Sequence, residues 1–129
     1  MRIKAQDSKI GRYICSSGND ILYDNNVCFC FVIGLKDRKG NGYLGHIGTD
    51  KGAITKLTKQ LEEFFSIPRN NIEAIIGGPK NPGFKKDWKI IKKELKKYTR
   101  NIHEEVYDNT DPKTIELPLK TFKLEISYK

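Results

Sequence analysis

The chain has 129 residues, 37% of them hydrophobic and 31% charged, and carries a formal net charge of +8. That length is close to the commonest size of one domain, and apolar and aromatic residues are spread along nearly all of it, which excludes a disordered chain. No apolar run is long enough to cross a bilayer and the first residues hold no apolar signal region, so a protein that starts in a cytosol, without membrane insertion, is expected.

From the N-terminus, residues 9–17 read as a short strand and Gly18-Asn19-Asp20 as a turn. Residues 21–23 give a second short strand, followed by Asp24-Asn25-Asn26. Residues 27–35 are almost continuously apolar, with β-branched and aromatic side chains, and predict one strand buried on both faces. The polar, glycine-rich residues 36–42 then form a hairpin loop, and residues 43–47 return as a strand.

The first helix is capped by Thr49 or Asp50, and Ala53, Ile54, Leu57, Leu61, Phe64 and Phe65 repeat at the spacing of one buried face. Pro68 closes it. Residues 71–76 read as a short strand, ended by Gly77-Gly78-Pro79, with residues 80–83 as a turn or loop. A second helix over about residues 84–99 carries Trp88, Ile91, Leu95 and Tyr98 as its apolar stripe, with lysines around the rest. Residues 102–107 read as a strand that leaves His103 at the surface. Phe122, Leu124, Ile126 and Tyr128 alternate with polar residues in a half-buried strand paired with residues 114–117. This order predicts one α/β or α+β layered domain over residues 1–129: a mixed β-sheet or sandwich core with two helices packed on it.

The three cysteines, an odd number, argue against a disulfide framework. Cys28 and Cys30 are too close in sequence for the usual zinc pair, and only two histidines are present; neither a metal nor a cofactor is expected. The basic balance favours an acidic partner, although lysine-rich helices are also commonly just solvated.

Cys28 and His46 form the pairing with chemical interest. They fall on strands that are consecutive in the chain, and consecutive strands often pair. A thiol is a nucleophile as thiolate, and a neighbouring imidazole is a common means of producing it. Cys30 is an alternative thiol, placed on the same face as Cys28 by strand alternation; Cys28 is preferred because it heads the strand, where a site can open. His46 could equally be a core histidine bonded to a carbonyl, and a cysteine could be simple packing.

Four stretches, taken in order, resemble the CheD family of bacterial chemoreceptor glutamine deamidases. They are Gly11-Arg12-Tyr13 through Asp20-Ile21-Leu22; Cys28 heading an apolar strand that ends in a charged hairpin; Gly42-Tyr43-Leu44-Gly45-His46-Ile47; and Ala74-Ile75-Ile76-Gly77-Gly78. The resemblance covers about residues 9–128. It implies a CheD-like fold within the cysteine–histidine deamidase superfamily that includes cytotoxic necrotizing factor type toxins. It also implies a bacterial protein acting in chemotaxis, or delivered as an effector to a host cell.

Asn26-Val27 stands where the family has Gly-Ser, the family's assisting threonine has no clean match, and a glycine-rich segment is missing between Tyr107 and Lys113. The implied reaction is hydrolysis of a glutamine side-chain amide to glutamate through a thioester, on a protein substrate with an acidic surface. Cys28 would be the nucleophile and His46 the proton carrier. Asp24 would orient His46, although an Asp at this point also suits a turn. Backbone amides near residues 27–29 or the Asn26 side chain would meet the oxyanion. Gly77 and Gly78 would let backbone pass close to the substrate, or simply form a tight turn. Two further expectations stand beside this one: a non-catalytic interaction module on the same fold, and a basic nucleic-acid binder using the lysines of residues 84–99, for which no recognition motif beyond charge is present.

Overall fold

The chain crosses between two β-sheets at the place where its sequence reads as one uninterrupted strand. In the computed structural model the described residues are 1–8, 11–28, 30–48, 52–64, 72–107 and 111–128. In chain order the elements are β1 (Arg2–Lys4), β2 (Gln6–Ser8), β3 (Gly11–Ser17), β4 (Ile21–Val27), β5 (Phe31–Lys36), β6 (Asn41–Ile47), α1 (Ala53–Phe64), β7 (Glu73–Pro79), a 3-10 turn (Pro82–Phe84), α2 (Lys85–Leu95), β8 (Asn101–Tyr107), β9 (Lys113–Pro118) and β10 (Glu125–Tyr128). One sheet has the order β1-β4-β9-β10 and the other β2-β3-β6-β5-β7-β8. Both are mixed, with β1–β4 and β7–β8 parallel and the other pairs antiparallel.

Side-chain alternation along β5 divides the core in two. Phe31, Ile33 and Leu35 pack with Leu57, Leu61, Ile91 and Leu95 under the helices. Val32 packs with Leu22, Leu44, Ile115 and Leu117 between the sheets. The six-stranded sheet is therefore the middle of three layers, and β5, fully buried along residues 31–35, needs apolar residues at every position. Gly34 sits where the sheets approach closely: a Cβ there would come within 2.6 Å of the Leu117 side chain. The mixed α+β architecture with two helices agrees with the layered fold expected from the sequence.

Several local expectations change. The strand expected over residues 27–35 is two strands of different sheets, β4 ending at Val27 and β5 starting at Phe31. Cys28 and Cys30 lie in the connection, so strand alternation does not place them on one face. Asp24 is not a turn residue; it lies inside β4 and is fully buried. Gly77 and Gly78 do not form a turn but continue β7 to Pro79. A Cβ on Gly77 would meet Leu124 and Val32, and one on Gly78 would meet Phe31 and Trp88. The second helix is shorter than expected, because the 3-10 turn precedes it and Tyr98 follows its end. The last strand begins at Glu125, and Phe122 instead occupies a turn with φ 51°. The proposed caps Thr49 and Asp50, together with Phe65 and Pro68, lie outside the described residues, as do the side chains of Ala53 and Ile54.

Candidate active site

Strand registry builds a short polar row on the face of the six-stranded sheet that meets the other sheet. Asp7 pairs with Arg12, Arg12 with His46, and His46 with Val32. Asp24 enters this row from the opposite sheet, on the same inward parity of β4 as Leu22. His46 Nδ1–H donates to Asp24 Oδ2 at 2.6 Å. Asp24 Oδ1 accepts from the Asn25 amide at 2.9 Å, and the Arg12 guanidinium stands 3.5 Å from it. A carboxylate with no exposed surface is thus held by one charge-assisted hydrogen bond, one amide and one cation, as a buried charge requires.

The Cys30 side chain is the second hydrogen-bond partner of the imidazole. Burial, the largest single influence on His46, opposes its protonation. The Asp24 carboxylate and the Cys30 sulfur outweigh burial and raise the pKa from 6.5 to about 9. Cys30, His46 and Asp24 form a line in which a carboxylate fixes the tautomer and orientation of a ring that faces a thiol.

The structure brings His46 and Asp24 together, as the sequence suggested, and sets Cys30 beside them. Cys28 acts electrostatically on a different group, Lys113. The side chain of Asn26 and the whole of Phe29 lie outside the described residues, so the oxyanion donors expected there have no described geometry. Gly77 and Gly78 lie at the same end of the middle sheet as Cys30, with their Cβ positions already crowded by apolar side chains. His103 is exposed and faces Glu73 at 3.2 Å.

Lys113 is the residue that sequence reasoning missed. Its side chain has no exposed surface, and Nζ donates to the carbonyls of Val27 and Cys28 at 3.0 and 3.1 Å. The ammonium also lies 4.6 Å from the centre of the Tyr107 ring. Burial lowers its pKa, opposed by Cys28, Asp111 and Cys30 in that order. Tyr107 completes the clamp by donating its hydroxyl to the Cys30 carbonyl at 2.5 Å. Together the two side chains fix the backbone of the cysteine-bearing connection. The signal in the sequence is parity: Lys113 shares its strand face with Ile115 and Leu117, which are buried.

Among the described residues, no helix is long and apolar enough to cross a membrane. No family model matches the chain, and no curated protein does. Among solved structures, the chain is similar to the C-terminal domain of CNFy from Yersinia pseudotuberculosis, with 11% identity and a TM-score of 0.46, over 97% of this chain and 54% of that one. This chain therefore spans about half the length of that chain.

Proposed function

We infer that this chain is a cysteine-dependent amide hydrolase that deamidates glutamine side chains of a protein substrate. One observation carries the reading: a single imidazole joins the buried Asp24 carboxylate to the Cys30 thiol. An imidazolium beside a sulfur favours the thiolate, the nucleophilic form. The sulfur attacks the carboxamide carbon, forming a C–S bond and a tetrahedral oxyanion. As the C–N bond breaks, His46 gives its proton to the leaving nitrogen, and ammonia departs. Water then adds to the thioester with His46 accepting its proton, and the C–S bond breaks to give glutamate and the thiol. Asp24 keeps Nδ1–H directed at itself throughout. Glutamine as the amide, and a CheD-like or effector setting, are supported by the ordered sequence resemblance.

The working thiol in this proposal is Cys30, because the hydrogen bond to His46 involves that residue. The test is alkylation by iodoacetamide near neutral pH, mapped by peptide mass, together with intact-mass analysis of candidate protein substrates for amide-to-acid conversion. Cys30→Ser and His46→Ala abolish both the fast alkylation and the conversion, whereas Cys28→Ser leaves them. Conversion that survives Cys30→Ser and disappears in Cys28→Ser would overturn the assignment.

A further inference from the structure

Beside α2 lies an open groove of about 470 Å³ whose walls include Lys80, Lys85, Lys89 and Lys92, with Trp88 and Val106 between them. Glu104 is the acid on its lining and is paired with Lys92 at 3.5 Å. No ion pair joins Lys80, Lys85 or Lys89 to a carboxylate among the described residues. The groove therefore presents concentrated positive charge around an apolar strip. Trp88 is fixed there, donating Nε1–H to the Pro79 carbonyl at 2.8 Å and packing edge-on against Phe31 at 5.1 Å between ring centres. Val106 is 52% exposed, an unusual placement for a valine in a strand.

The groove lies on the helix face of the middle sheet and the candidate thiol on the face toward the other sheet, and two adjacencies in the chain bring them to the same end of that sheet. Phe31, under Trp88, directly follows Cys30 in the chain. Tyr107, directly after Val106, donates to the Cys30 carbonyl. All of this lies at one end of the middle sheet, where β5 begins and β7 and β8 end. β8 is the outermost strand of that sheet, so the groove is open at the sheet's edge.

We propose that this groove seats an acidic segment of the protein substrate, with carboxylates on the lysines and an apolar side chain against Trp88 and Val106, while a glutamine further along that substrate reaches Cys30 around the end of the middle sheet. Charge complementarity specifies the acidic residues, and the apolar floor specifies the side chain between them. A nucleic-acid backbone fits less well, because its polar sugars and phosphates would cover the apolar strip. That the occupant is a substrate rests on the deamidase reading; the docking itself does not.

Trp88 is the sole tryptophan, so its emission reports occupancy directly. The probe is a tryptophan-free peptide of alternating glutamate and leucine containing one glutamine. It is compared with the same peptide carrying serine for glutamate, and with an oligothymidylate. The acidic peptide gives a saturable change in Trp88 emission that weakens as salt is added. Its affinity falls at least about tenfold in the Lys85→Glu, Lys89→Glu double variant, whose exposed substitutions leave the circular dichroism unchanged, and is unaltered in Cys30→Ser. No emission change, an equal response to the serine peptide, or tighter binding of oligothymidylate overturns the proposal. Docking without conversion of the peptide's glutamine counts against the reaction alone. Conversion that is indifferent to Lys85→Glu and Lys89→Glu counts against the docking surface alone.

Discussion

Replacing Asp24 by asparagine removes the charge that holds His46 protonated while keeping nearly the same shape. The imidazole pKa is lifted from 6.5 to about 9, against burial, by Asp24 and Cys30. At ~1.36 kcal/mol per unit this rise favours the folded imidazolium by about 3 kcal/mol. Because the folded pKa lies above the unfolded one, that contribution is complete below pH 6.5 and is lost as pH climbs through about 9. In Asp24→Asn, burial is opposed by the Cys30 sulfur alone, so the His46 pKa falls from about 9 toward its ordinary value and the stability difference between pH 6 and pH 9 shrinks. Arg12, 3.5 Å from the carboxylate, keeps only the exposed Asp7 at 3.6 Å as a counter-charge, which adds to the destabilisation at every pH. The assay is an NMR titration of the two histidine rings, with His103→Gln assigning the other, alongside urea unfolding at pH 6, 7.5 and 9. Cys30→Ser reports the share of the shift that belongs to the sulfur. A His46 that titrates at or below 6.5 in the unsubstituted protein would refute the electrostatic account of the site.

Lys113→Met keeps the length of the side chain but leaves two backbone carbonyls without their donor, at about 1–3 kcal/mol for each unsatisfied group. Urea unfolding reads the loss, and alkylation of Cys30 slows as its connection loosens; unchanged stability would contradict the clamp. Gly78→Ala places a Cβ 2.4 Å from the Phe31 ring and 2.7 Å from Trp88, so it destabilises by about 1–3 kcal/mol and shifts Trp88 emission. Wild-type unfolding and emission would show that the end of β7 yields easily. Leu117→Ala empties the space over Gly34 between the sheets and costs about 2–5 kcal/mol by chemical denaturation; a loss under 1 kcal/mol would mean that the layers close the gap.

Where periodicity was unbroken, the sequence was an adequate guide. The three-four spacing of Leu57, Leu61 and Phe64 marked α1, and the apolar run ending at Leu35 marked β5 with its hairpin to β6. What the sequence hid was the change of sheet. Val27 and Phe31 read as one run because an apolar residue is needed on both sides of the crossing, and no glycine or proline punctuates it. That one misreading put Cys28 and Cys30 on a single strand face. The burial of Asp24 and Lys113 was obscured for a related reason: a charged residue near a strand end resembles a turn or a solvated surface until its partner is known. Their partners lie 22 and 86 residues away in the chain, at His46 and Val27, distances that local patterning does not register. His46 was legible because histidine is scarce here and its strand was clear.

Asp24 and His46 are anchored in different layers of the sandwich, and the sulfur rides on the short span joining them. The hydrogen-bonded line is consequently a stitch through two sheets, and its alignment depends on their spacing. A slight parting of the layers would break the stitch while each sheet kept its own ladder of backbone bonds. Warming should therefore silence the thiol before far-ultraviolet dichroism registers any loss of strand.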